Sequence, residues 1–137
     1  MKSNVADASK KKSSVEAKPV TQPRPANVLD ASDDDWLCAG CLNRVANEKD
    51  RFNHDGKSEF SFSNPEGIQF EIITFSQIAG CRQTGVPTFE HSWFPEHAWS
   101  YCQCDRCQMH LGWFYSGLDE FVGLIRNRLV RGRGVWN

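Results

Sequence analysis

Residues 91–115 read HSWFPEHAWSYCQCDRCQMHLGWFY. This stretch contains two cysteines separated by two residues, Cys104 and Cys107, and three tryptophans, Trp93, Trp99 and Trp113. Closely spaced cysteines are typical of metal ligands, and indoles supply large apolar surfaces. The stretch therefore predicts that a metal site and an aromatic cluster lie close together in the folded chain.

A second cysteine pair, Cys38 and Cys41, repeats the two-residue spacing far upstream. A tight turn of this length aims both thiolates at one point, and two such turns complete a tetrahedron. The sequence therefore predicts a structural zinc ion, Zn²⁺, bound by Cys38, Cys41, Cys104 and Cys107. Four thiolates leave no coordination position for a catalytic water. Because the two pairs are far apart, the ion should join the first strand of the domain to a late hairpin.

Two cysteines remain, Cys81 and Cys102, which we interpret as small buried hydrophobic residues. His110, three residues after the second pair, is expected to pack or form a hydrogen bond beside the metal site. Trp36, close to the first pair, is expected in the core. The alternative for the cysteine pairs is redox chemistry, but a redox motif needs only one pair, at the start of a helix that follows a strand.

The composition restricts the class of protein. The chain has 137 residues, of which 39% are hydrophobic, and a net charge of -1. It contains no apolar run near the roughly 18 residues of a membrane span, and its first 35 residues lack the apolar segment of a secretory signal. A net charge so close to zero means that the chain has no overall excess of positive charge with which to bind nucleic acid. We therefore expect a cytoplasmic protein without a membrane or nucleic-acid partner, in which six cysteines favour metal over disulfides.

The chain divides near residue 34. The lysine run at residues 10–12 and three prolines accompany few large apolar side chains before that point. Such a segment cannot bury enough apolar surface to offset its ordering entropy. The composition predicts a disordered tail over residues 1–34, a ligand-binding domain over residues 35–130 and a short tail over residues 131–137.

Within the domain the pattern is mostly β. Phe60 and Phe62 alternate with polar residues, the sequence Asn-Pro-Glu-Gly at 64–67 is typical of a turn, and residues 68–75 follow as a partner strand. Two further strands are predicted over residues 98–102 and 111–115, and no regular element is predicted between residues 76 and 97. Residues 121–130 are ambiguous, because their apolar spacing suits a helix face while nearby glycines oppose it.

The three tryptophans of residues 91–115 have two interpretations on spacing alone. They are either core aromatics, which the spacing by itself favours, or the walls of a binding cage. The quoted stretch as a whole resembles the CULT domain, the thalidomide-binding domain of cereblon. The resemblance extends from Trp36 to Val130 and includes the Asn64-Pro65 turn and the string Phe-Val-Gly-Leu at 121–124.

This resemblance implies a fold, a set of site residues and a ligand class. The implied fold is mainly β, a β-tent of two antiparallel sheets joined near a four-cysteine zinc site. The implied function is a small-molecule binding module for cyclic imides such as glutarimide, or for uridine-like ligands, and not an enzyme. The resemblance places the ligand-binding residues at Asn64, His91, Trp93, Trp99, Trp113 and Tyr115, with main-chain groups of His91 and Trp93 pairing the imide.

Two other functions compete with this one. Methionine-sulfoxide reductases of the R-specific class share the β-tent and the zinc, but they use a late nucleophilic cysteine, and none follows Cys107 here. Three indoles also suit a methylated-lysine cation. No region for joining a ubiquitin ligase is evident in the sequence, so we expect no such adaptor role.

Overall fold

A computed structural model describes residues 32–133, so residues 1–31 of the first predicted tail and 134–137 of the second lie outside the described range. The described residues form two antiparallel sheets and two short 3₁₀ helices, Glu48–Asp50 and Arg126–Arg128. This confirms the mainly β fold predicted from the sequence. In chain order the strands are β1 (Asp35–Cys38), β2 (Arg44–Asn47), β3 (Glu59–Ser63), β4 (Gln69–Phe75), β5 (Cys81–Thr88), β6 (Ala98–Cys104), β7 (His110–Ser116), β8 (Glu120–Ile125) and β9 (Leu129–Arg131).

The smaller sheet has three strands in the order β9-β1-β2. Trp36 lies on its central strand and is 3% exposed, as expected for a core residue. Its indole N–H donates to a carboxylate oxygen of Glu48 at 2.5 Å. The guanidinium groups of Arg126 and Arg131 lie 4.8 and 4.9 Å from its ring centre. The contact of Arg131 ties the last strand of the domain to the first, and that of Arg126 ties the preceding 3₁₀ helix to the same ring.

The larger sheet has six strands in the order β3-β4-β8-β7-β6-β5. Strands β3 and β4 form the predicted hairpin, with Phe60 opposite Ile72. Asn64 stabilises its turn, because the side-chain oxygen accepts the N–H groups of Glu66 and Ile68. Gly67 in the same turn has a φ of 87°, which a residue without Cβ adopts at little cost.

Two segments differ from the sequence expectation. The ambiguous segment is not an α-helix: it forms strand β8, a single 3₁₀ turn and strand β9. Strand β8 lies between β4 and β7, so pairing on both of its edges overrides the helical spacing of its apolar residues. The stretch expected to be irregular contains strand β5, whose pairing with β6 is broken between Thr84 and Thr88. Gly85 and Pro87 fall within this irregular part, which explains why no alternation was visible.

Two buried clusters build the interior. The first joins the sheets, since Trp36 and Val45 of the smaller sheet pack with Phe75, Leu111 and Leu124 of the larger one. The second lies within the larger sheet and its loops and includes members of the aromatic stretch 91–115. Its buried members are Ile72, Phe94, Trp113, Tyr115, Phe121 and Ile125. Among the described residues, no helix has the length and apolar character needed to cross a bilayer.

Candidate functional site

The four paired cysteines meet in one place. The Sγ atoms of Cys38, Cys41, Cys104 and Cys107 all lie within 4.8 Å of one another. The Sγ atoms are 3.6 Å apart both between Cys38 and Cys107 and between Cys41 and Cys104. A metal with metal–sulfur bonds of about 2.3 Å separates tetrahedral ligands by about 3.8 Å. The group therefore has the dimensions to hold a metal ion.

The two turns that present these thiols have the same backbone design. In the first, the N–H of Leu42 donates to the carbonyl of Cys38 at 2.7 Å; in the second, the N–H of Gln108 donates to that of Cys104 at 2.9 Å. Leu42 and Gln108 both have positive φ angles, 66° and 65°. Each turn thus reverses the chain through a left-handed residue directly after its second cysteine, which aims both thiols inward.

The electrostatics of the group also favour a bound cation. Burial, together with the neighbouring Cys104, raises the pKa of Cys38 to about 11. Four thiols so close together cannot all ionise unless a positive charge compensates them. Backbone N–H groups already point at two of the sulfurs, from Gly40 to Cys38 at 3.3 Å and from Arg106 to Cys104 at 3.4 Å. These bonds stabilise the thiolate form that binds metal.

The position of the cysteines explains their structural value. Cys38 ends strand β1 of the smaller sheet, and Cys104 ends strand β6 of the larger one. An ion bound by all four thiols would join the two sheets, as the sequence predicted. The other two cysteines lie outside the group: Cys102 is fully buried, while Cys81 is only half-buried, which differs from the expectation for that residue.

A pocket of about 290 Å³ opens on the larger sheet. All six residues predicted as ligand-binding line it. The structure adds four residues that the prediction lacked. The full lining is Asn64, Pro65, Phe70, His91, Trp93, Trp99, Tyr101, His110, Trp113 and Tyr115.

Hydrogen bonds and ring contacts fix the indoles of the pocket. The indole N–H of Trp93 donates to the carbonyl of Ser63 at 3.0 Å, and that of Trp99 donates to the carbonyl of Glu90 at 2.7 Å. The rings of Trp93 and Trp113 meet edge to face, with centres 5.0 Å apart. These contacts fix the orientation of the indole walls of the pocket.

One loop of the pocket, which contains His91 and Trp93, offers unpaired main-chain polar groups. His91 has a φ of 60°. Residues other than Gly adopt this left-handed backbone conformation at an energetic cost, and residues held in it often occur at binding sites. Within residues 32–133, neither the carbonyl of His91 nor the N–H of Trp93 has a hydrogen-bond partner. One acceptor and one donor are thus available beside the aromatic walls. Burial raises the pKa of Tyr115, whose ring packs on Phe94 with centres 4.7 Å apart.

Of the missed residues Tyr101 and His110, strand periodicity could have identified only Tyr101. Tyr101 follows Trp99 by two positions on strand β6, so both side chains point to the same face. His110 lies in the pocket wall and not only beside the metal group: its ring meets that of Trp113 with centres 5.0 Å apart. The bulge at Cys102 and Gln103 shifts the register there, so His110 could not be placed from spacing.

Sequence comparison shows which known proteins this chain is similar to. Cereblon from Danio rerio is 34% identical over 76 residues, which cover 51% of this chain and 18% of that protein. Cereblon from Gallus gallus has the same identity over the same length, with 17% of its own length covered.

The chain is cereblon-like.

Cereblon from Drosophila erecta matches over a longer region, 113 residues at 26% identity, or 74% of this chain. The chain spans less than a fifth of the length of these curated relatives. No protein-family model matches it. The cereblon-like chain thus combines a mainly β fold, four cysteines placed to hold a metal ion and an aromatic cluster around a pocket.

Proposed function

We propose that this cereblon-like chain is a small-molecule binding module, not an enzyme, whose tri-tryptophan pocket binds a neutral cyclic imide or a uridine-like ligand. We propose further that its four grouped cysteines hold a structural Zn²⁺ ion. The observation that carries the first proposal is that two residues lining the aromatic box have main-chain groups without a hydrogen-bond partner among residues 32–133, the carbonyl of His91 and the N–H of Trp93.

The chemistry of the ligand class matches this arrangement. A cyclic imide has one N–H between two carbonyls, and the uracil ring of uridine has the same group. The His91 carbonyl would accept the imide N–H, and the Trp93 N–H would donate to a flanking carbonyl. An imide buried without such partners would lose a few kcal/mol, about 1–3 for each unsatisfied group. The indole walls would enclose the remaining apolar ring surface.

The pocket lining supports a neutral ligand over a cationic one. Among the ten lining residues that the structure describes, none is Asp, Glu, Lys or Arg. A methylated-lysine cation would therefore find aromatic faces without a carboxylate to balance its charge. Glu90 lies nearby, but it touches the cage through its main-chain carbonyl, which accepts the indole N–H of Trp99.

The proposed zinc ion would act by holding the fold. Its ligands lie between the two sheets, away from the pocket lining, and all four are thiols. Zn²⁺ in such a site has no open coordination position, so it supplies folding energy and no chemistry on a ligand.

Calorimetric titration tests the proposed function without relying on tryptophan fluorescence. Glutarimide and uridine are titrated into the full chain, with trimethyllysine as the cationic competitor class. We expect saturable binding of glutarimide that weakens at least about thirtyfold in Trp99→Ala, the loss typical of a central aromatic anchor. Leu118→Ala, which shortens an exposed side chain outside the pocket, should bind like the unaltered chain. Binding of trimethyllysine alone would refute the neutral-ligand proposal.

A further inference from the structure

One thiol outside the metal group lies beside it. Cys81 begins strand β5 and is directly opposite Cys104 in the antiparallel register with β6. Directly opposed residues carry their side chains on the same face of a sheet. Cys104 is fully buried and belongs to the four-thiol group, and Cys81 packs against the same buried cluster. Cys81 itself is only half-buried, so a small oxidant can reach it from solvent.

The hydrogen-bond pattern sets the distance between these two cysteines. The N–H of Asp105 donates to the carbonyl of Gly80, directly opposite, at 2.9 Å. Hydrogen-bonded pairs alternate along an antiparallel ladder, so Cys81 and Cys104, the next pair, are a non-hydrogen-bonded pair with Cα atoms about 4.5 Å apart. This spacing lies within the range of about 4.4–6.8 Å that a disulfide needs. Cys102 lies on a diagonal from Cys81, at a typical Cα distance of about 7–8 Å, which is too long for a bridge without backbone movement.

The start of strand β5 is fixed to both cysteine turns. The carbonyl of Gly80 accepts the N–H of Asp105, in the second turn, and a side-chain N–H of Asn43, which follows the first turn, at 3.1 Å. The same amide nitrogen lies 3.8 Å from the Sγ of Cys104. A Cβ added to Gly80, whose φ is 64°, would lie 2.5 Å from that nitrogen, so a side chain there would displace the amide. These contacts hold Cys81 beside the metal group.

We propose that Cys81 is a redox-active thiol that, on oxidation by hydrogen peroxide, forms a reversible disulfide with Cys104 and thereby releases the metal ion. This inference rests on the proposed zinc site and adds a modification that controls it. A disulfide between two of the four grouped thiols removes two metal ligands at once, whereas a disulfide to Cys81 removes one. Because only one metal–sulfur bond breaks, the bond to Cys81 is the one that a metal-loaded chain forms first.

The oxidation takes two steps. Hydrogen peroxide oxidises the thiol of Cys81 to a sulfenic acid and releases one water. The thiolate of Cys104 then attacks this sulfur: the S–S bond forms, the S–O bond breaks and hydroxide leaves. Two electrons have passed from the two sulfurs to the peroxide, and Cys104, no longer a thiolate, stops binding metal. The neighbouring Cys102 and burial raise the pKa of Cys81, so its thiol reacts slowly and the step needs sustained oxidation.

The rate of zinc release tests the inference. The reduced, zinc-loaded full chain is treated with hydrogen peroxide while a chromogenic chelator follows the released zinc. We expect zinc to leave at least about fivefold faster than from Cys81→Ser and Cys81→Ala, in which the first disulfide must break two metal–sulfur bonds. Cys102→Ala is the matched control, because it removes a neighbouring thiol that is not the partner, and it should release zinc at the unaltered rate. Dithiothreitol with added zinc should restore the metal content of the oxidised chain, since disulfides are reversible.

Tryptic peptides identify the bonded pair. Cys81 lies in peptide 58–82, Cys102 and Cys104 lie in peptide 83–106, and Cys107 lies in peptide 107–126. We expect peptides 58–82 and 83–106 to be joined after oxidation. They should stay joined in Cys102→Ala, in which Cys104 is the only cysteine of its peptide.

Two kinds of result would overturn the inference. One is zinc release at equal rates from the unaltered chain and both Cys81 variants. The other is a different disulfide in the oxidised chain, either between Cys81 and Cys102 or between two of the four grouped cysteines. If the untreated chain binds no zinc, the proposed metal site itself is wrong and the inference is overturned with it. Imide binding is measured separately and decides neither result.

Discussion

Replacement of Cys104 by serine tests the metal group at one of its two fully buried members. Cys104 is fully buried and ends the strand at which the larger sheet meets the four thiols. A structural zinc ion contributes about 10–16 kcal/mol in small domains, or about 3 kcal/mol for each of four ligands. The serine hydroxyl, buried among sulfurs, costs about 1–3 kcal/mol more. The sum, about 4–6 kcal/mol, is comparable with the whole stability of a domain of this size, about 5–15 kcal/mol.

Two measurements would detect the loss of the metal ion and of stability in Cys104→Ser. We expect less than one zinc per chain by elemental analysis, and a melting temperature lowered by at least about 15 °C, since each kcal/mol shifts Tm by about 4–8 °C in a domain of about this size. Cys81→Ser is the matched control: Cys81 lies directly opposite Cys104 on the next strand but outside the four-thiol group. The Tm of Cys81→Ser should fall by less than half as much as that of Cys104→Ser. A Cys104→Ser chain with full metal content and a Tm within about 4 °C of the unaltered protein would contradict the structural metal site.

Three further predictions concern the pocket and its support. Trp99→Ala should keep metal content and far-ultraviolet circular dichroism unchanged while abolishing imide binding, because its ring is a pocket wall; retained binding in calorimetry would mean that the walls are wrongly assigned. Gly112→Ala should lower the free energy of unfolding by about 3 kcal/mol or more in urea denaturation, because its Cβ would lie 1.9 Å from the carbonyl oxygen of Gly123 on the adjacent strand. Arg128→Ala should cost about 1 kcal/mol of stability and weaken imide binding a few-fold, because the hydrogen bond that positions His110 is lost; unchanged calorimetric affinity would show that His110 is held without it.

The sequence was most informative where its signals are local. The spacing of the cysteine pairs sufficed to predict the metal group, because each pair is presented by its own turn. The hairpin of β3 and β4 was equally clear, since alternation and turn residues act within a few positions. The resemblance to the CULT domain, which extends from Trp36 to Val130, supplied the six predicted pocket positions, of which spacing alone would have left the three tryptophans in the core.

Other features depended on pairing between distant segments. Strand β8 has helix-like apolar spacing, and only its place between β4 and β7 makes it a strand. Strand β5 was invisible for a related reason: its irregular half is interrupted by Gly85 and Pro87, and its regular half is defined by hydrogen bonds to β6.

The chain by itself determined which residues can bind metal, which are aromatic and where turns fall, because these properties belong to single residues and near neighbours. Only the tertiary structure decided that His110 joins the pocket. Its position depends on the register between β6 and β7, and a bulge at Cys102 and Gln103 shifts that register. Register is a relation between strands, set by the packing of whole sheets, so no local pattern in either strand encodes it.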